Sequence, residues 1–150
     1  MKPNTLVRKT NLTIAQNAIV KKPHQKRVFK TKTFSRWAKG LLTDAQLCKA
    51  AHEILQGLYE VELGMGLCKK RIAIFGQGKR GATRTLVAKE SAHGLFFLVG
   101  RQKSDPGNDF SDAQVDAAKI IGTALQRSSQ EKIDDLIADG VLKEICHEGC

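Results

Sequence analysis

The chain is short of acid, of long apolar runs and of the constellations that mark common enzymes. Each shortage excludes something. Asp and Glu number 15 against 25 Lys and Arg, a formal net charge of +10 with a pI near 9.7. Solubility does not need so large an imbalance, and it implies an anionic partner. No stretch approaches the ~20 apolar residues of a membrane span, so no membrane association is expected. The N-terminal region has no compact apolar run followed by a small-residue cleavage site, and a cytoplasmic location is expected. Four cysteines, Cys48, Cys68, Cys146 and Cys150, make no disulfide framework in that setting, and reduced thiols are expected. Cys146-His147-x-x-Cys150 lacks the second ligand pair of a tetrahedral zinc site, so neither metal nor cofactor is expected. What is present suffices for a core. Hydrophobic residues make up 41% of 150, the amount expected of one folded domain.

The charge is segregated. Met1–Thr43 carries 11 basic residues and no acid, Asp44–Met65 a balance of −3, Gly66–Lys103 one of +8 and Ser104–Cys150 one of −6. The first basic block begins with a polar stretch, residues 1–25, read as a basic, flexible extension. The second falls on strand-like sequence. Basic charge on a rigid sheet is a better nucleic-acid footprint than a basic tail alone.

Periodicity predicts a small α+β domain over 26–145 and a short tail over 146–150. A first strand runs over Lys26–Lys32 and a short helix, anchored by Trp37, over Thr33–Lys39. Thr43-x-x-Gln46 is a capping box opening a helix with Leu47, Ala51, Ile54, Leu55 and Leu58 on one face. Val61–Leu67 reads as a glycine-containing loop. Cys68–Phe75, Thr83–Lys89 and Leu95–Arg101 read as an antiparallel three-strand meander, the last strand central. Ser111-x-x-Gln114 opens a helix with Val115, Ala118, Ile121, Gly122 and Leu125 inward. Ser128-x-x-Glu131 opens another, ending near Gly140. The expected sheet is small and antiparallel, the meander plus the N-terminal strand, flanked by helices.

Gly76-Gln-Gly-Lys-Arg-Gly81 matches a dinucleotide fingerprint, but a strand follows where a helix should, which rejects that reading. A glycine-rich hairpin loop remains, with Lys79 and Arg80 able to neutralise a phosphate. Lys69, Lys70 and Arg71 lie on the first strand of the meander, Arg84 starts the second, Arg101 ends the third and Lys103 follows. Antiparallel pairing brings Arg84 and Arg101 to one edge. Between Gly66 and Lys103 the only acid is Glu90, so the paired carboxylates that hold catalytic Mg²⁺ are missing. No Ser/His/Asp or Cys/His set can be assembled, and His93 falls in a turn at the far end of the sheet. RNA offers its own nucleophile, the 2′-OH. Its cleavage needs only a base, cations for the phosphorane and an acid for the leaving oxygen.

Phe34-Ser-Arg-Trp-Ala-Lys, Leu42-Thr-Asp-Ala-Gln-Leu-Cys, Leu63-Gly-Met-Gly-Leu-Cys-Lys-Lys-Arg-Ile-Ala, Gly76-Gln-Gly-Lys-Arg-Gly-Ala-Thr-Arg-Thr-Leu and Leu95-Phe-Phe-Leu-Val-Gly-Arg-Gln-Lys, with Asn108 and Phe110, together resemble the HigB-like branch of the RelE/ParE toxin superfamily. The resemblance runs from about Arg27 to Leu142. It implies a RelE-like fold and the toxin of a type II toxin–antitoxin pair. It also implies a metal-independent endoribonuclease that cuts mRNA, often on the ribosome, and a cognate antitoxin of the HigA-like, helix-turn-helix kind. On the matching positions it assigns Arg84 to the scissile phosphate and Lys103 and Arg71 to catalysis. It assigns Lys69, Lys70, Lys79, Arg80 and Arg101 to RNA binding. The only tyrosine is Tyr59, at a helix end, so the general acid is unassigned. Relatives that poison DNA gyrase, and a non-catalytic nucleic-acid-binding module, are the alternative readings.

Overall fold

The computed structural model describes residues 26–74 and 81–146. The extension over 1–25, Lys79 and Arg80 in the glycine loop, and the last four residues of the tail lie outside them. The chain runs β1 (Arg27–Thr31), α1 (Lys32–Ala38), α2 (Asp44–Leu55), β2 (Val61–Gly64), β3 (Leu67–Ala73), β4 (Ala82–Ala88), β5 (Gly94–Gln102), α3 (Asp112–Gln126), α4 (Gln130–Ala138) and β6 (Leu142–Ile145). One six-stranded sheet has the order β2-β3-β4-β5-β1-β6. The class is α+β with helices on both faces, as expected, and the β3–β4–β5 meander is antiparallel.

The sheet is wider than the sequence suggests, and mixed. β1 pairs parallel to β5, with Phe29 opposite Phe96, and antiparallel to β6. The expected loop after Tyr59 is a strand: Val61–Gly64 pairs with β3 through a tight turn at Met65–Gly66. Both turn residues have positive φ, 54° and 77°, which is the two-residue hairpin geometry that matches strand twist. A side chain at Gly66 would also meet the Gln126 amide 2.6 Å away. Gln126 bonds the Met65 carbonyl and accepts from the Glu90 N–H, so the end of α3 is tied to two turns at once.

The Leu95-Phe-Phe-Leu run of β5 is buried on both faces, which explains its unbroken apolarity. On one face Leu95 and Phe97 pack with Val28, Phe34, Leu47, Ile54 and Cys68 under α1 and α2. On the other Phe96 and Leu98 pack with Phe29, Leu67, Leu86, Leu125 and Ile133 under α3 and α4. Phe29 stacks on Phe96 with centroids 5.1 Å apart, and Phe34 meets Phe97 at 5.3 Å. Trp37 lies flat against Gly100, where an added Cβ would come within 2.1 Å of its ring.

Thr43 and Ser111 form the expected capping boxes with Gln46 and Gln114. The cap of α4 is one residue later than the sequence reading: Ser129 accepts from the Lys132 N–H, while Ser128 donates to the Ala124 carbonyl. Leu58 and Ile121, expected inward, are exposed. The thiols also need correction. Cys48 of α2 and Cys146, just past β6, form a disulfide, which draws the start of the expected tail onto the α2-side core. Cys68 is a free thiol, and burial pushes it up to about 12.

Candidate nucleic-acid interface

The meander register builds a row of arginines. Arg71 of β3 stands opposite Arg84 of β4, and Arg84 opposite Arg101 of β5. Directly opposed residues share a face, and Leu86, two residues from Arg84, lies in the core under α3. The row therefore continues the α3-side face beyond the N-terminus of that helix. Like charges directly across a ladder are destabilising.

The three arginines are not equivalent. Arg101 is buried and spent on the backbone. One guanidinium nitrogen donates to the Asp109 carbonyl at 2.6 Å. The other donates to the carbonyls of Asp105, Pro106 and Gly107 at 2.9, 3.1 and 2.9 Å. It organises the loop between β5 and α3 from beneath. The sequence places it correctly beside Arg84, but the direct RNA contact expected of it is not available to a fork already filled with carbonyls. Arg71 is exposed and Arg84 half-buried, and among the described residues neither side chain makes a hydrogen bond or ion pair. The backbone N–H of Arg71 donates to the Glu60 carboxylate at 2.7 Å. Lys103 follows β5, its backbone N–H on the Ala82 carbonyl and its side chain exposed.

The neighbouring lysines divide by strand alternation. Lys69 shares the face of Arg71 and Arg84, and its ammonium pairs with the Asp109 carboxylate. Lys70 points to the other face, where it is 6% exposed, paired with Glu53 of α2 at 2.8 Å and donating to the Leu58 carbonyl at 2.9 Å. The structure does not bring it to the row, which corrects its assignment to RNA binding. Period-two alternation decides this, because residues 69 and 71 on one face force residue 70 onto the other.

Asp109 is the residue the sequence reading missed. It lies beyond the basic block, and only the fold carries it back over Lys69. Burial works to raise its pKa. The Lys69 ammonium, the Phe110 N–H and the nearby Arg84 outweigh that and hold its carboxyl below the usual carboxylate range.

The two described histidines give no alternative centre. His93 is in the turn before β5, at the other end of the sheet from Arg84, and His52 is on the exposed side of α2 beside Gln56. Tyr59 packs on the α2-side core with its hydroxyl on Glu62 and Lys89 over its ring. Among the described residues no group of three His, Cys, Asp or Glu side chains could hold a metal, and no helix is long and apolar enough to cross a membrane.

The arrangement can hold a polyanion: Arg71, Arg84 and Lys103, whose side chains make no hydrogen bond or ion pair among the described residues, lie on the same meander as Lys69, which is held by the Asp109 carboxylate. A family model described as the RelE toxin of the RelE/RelB toxin–antitoxin system matches residues 26–145. No curated protein matches the chain. The match takes in every strand and helix described above, and the chain belongs to the RelE family of toxin–antitoxin toxins.

Proposed function

We propose that this toxin is a metal-independent endoribonuclease of the HigB-like kind, acting on mRNA and neutralised by a helix-turn-helix antitoxin. The observation that carries the reading is the Arg71–Arg84 pair, opposed across two strands with no hydrogen bond or ion pair to either guanidinium among the described residues. Such a pair is stabilised by an anion placed between or over it. In the proposed reaction the RNA 2′-oxygen attacks the adjacent phosphorus. The O2′–P bond forms as the P–O5′ bond breaks, leaving a 2′,3′-cyclic phosphate and a 5′-hydroxyl. The 2′-OH loses its proton to a base and the 5′-oxygen gains one. Arg84 grips the scissile phosphate, and Arg71 and Lys103 offset the charge that grows on the phosphorane. Lys79 and Arg80, in the sequence joining β3 to β4, are assigned to the RNA backbone on either side. The antitoxin covers the row, since neutralisation is most direct where the phosphate binds.

The test is cleavage of free mRNA and of mRNA on translating ribosomes, in EDTA, with Arg84→Ala alongside. Loss of one donor to a developing charge typically lowers the rate by about 10²–10³-fold. That loss, in a variant that folds normally, is the expected result, and the sample in which cuts appear decides ribosome dependence. No cuts by the wild type in either sample would turn the reading toward gyrase, or toward binding without catalysis.

A further inference from the structure

Asp109 pairs with Lys69, the cation beside the row, and it is fixed there from two sides. Its backbone carbonyl is held by Arg101, and its carboxylate accepts from the Phe110 N–H at 2.7 Å and from Lys69. Arg101 also binds the carbonyls of residues 105, 106 and 107, so the loop delivers Asp109 to Lys69 by construction. The carboxylate feels Arg84 as well as Lys69. Register explains why: Lys69 pairs with Leu86, two residues along β4 from Arg84, so both cations stand on the face over which Asp109 lies.

We propose that Lys69 and Arg84 form a phosphate subsite for RNA, and that Asp109 occupies it as an internal anion which the RNA backbone displaces. The inference rests on reading the row as an RNA-binding surface. A carboxylate and a phosphodiester present the same donors with the same kind of oxygen acceptor, so one can replace the other. The Asp109 side chain is 39% exposed, so it can turn into water while Arg101 keeps the backbone in place. Lys69 is 16% exposed and gains its second partner only when that exchange occurs. Asp109 thereby weakens the grip on RNA and favours backbones able to supply a phosphate at this position. It is a positioning residue acting through Lys69, not a group that touches the reacting atoms.

The experiment is binding of a fluorescent single-stranded RNA of about ten nucleotides, every ribose 2′-O-methylated so that it cannot be cut, to the full chain and to Asp109→Asn. Asn keeps the oxygen that accepts from Phe110, and it replaces the charged oxygen that accepts from Lys69 with an amide NH2 that cannot. One unit charge removed from beside a bound phosphate should tighten binding by about three- to tenfold at low salt, and the gain should shrink as salt rises. Lys69→Ala should weaken binding more in the Asp109→Asn background than in the wild type, because only there is Lys69 free of its competitor. With a cleavable RNA, Asp109→Asn should lower KM by a larger factor than it changes kcat. Unchanged or weaker binding by Asp109→Asn overturns the subsite, including the case in which neither protein binds. Tighter binding without cleavage by either protein retains the subsite and overturns the nuclease reading instead.

Discussion

Three consecutive cations, Lys69, Lys70 and Arg71, show how little residue type says about role. One is paired with a displaceable carboxylate, one is buried against α2, and one has a side chain open to solvent. Their replacements should separate accordingly. Lys70→Ala leaves the Glu53 carboxylate and the Leu58 carbonyl without their donor. It should lower unfolding free energy by about 1–3 kcal/mol in a urea titration, because a part-buried acceptor loses its partner. Arg71→Ala removes an exposed side chain and should change stability by no more than about 0.5 kcal/mol while weakening RNA binding. Equal effects on stability would contradict the face assignment. The sequence shows that cations cluster on the meander and that Arg84 meets Arg101. It does not show which cations are already used. That depends on carbonyls and carboxylates brought in from α2 and from the loop after β5, far along the chain, and Asp109 was invisible for the same reason.

At the scale of elements, the meander and four helices were legible because their signals are local: alternation, capping boxes and the apolar run of β5. β2 and β6 were not. Val61-Glu-Leu-Gly is four residues with a glycine at its end, and Leu142–Ile145 is as short. Each becomes a strand only through a neighbour, β3 for one and β1 for the other. The parallel β1–β5 pair was equally out of reach, since no local pattern announces a partner more than sixty residues away. The start of α4 was misread by one position because two serines stand in line. Exchanging them is a direct check: Ser129→Ala should cost about 1 kcal/mol as a lost cap, whereas Ser128→Ala should cost clearly less, in thermal or urea unfolding. The reverse order would return the cap to Ser128.

For the molecule as a whole, the Cys48–Cys146 bond closes a span of 98 residues and fastens the end of β6 to α2. A cross-link over a loop of that length typically stabilises by about 2–4 kcal/mol, largely by restricting the unfolded chain. Reduction by dithiothreitol, or Cys146→Ser, should lower stability by that amount, and the two together by no more than either alone. Additive losses would mean that the reductant acts elsewhere.

The strand order also bears on how the molecule is assembled. β3, β4 and β5 close one hairpin after another, each contact spanning a short piece of chain, so the arginine row belongs to the part with the least loop entropy to overcome. β1 is made first and waits longest: Arg27 finds Gly94, and Val28 finds Ile145, only after most of the chain has followed. A growing chain can therefore lay out its arginine row before its supporting core is finished. In the interval between those two events the row is laid out without the strands that later brace β5 from its far side.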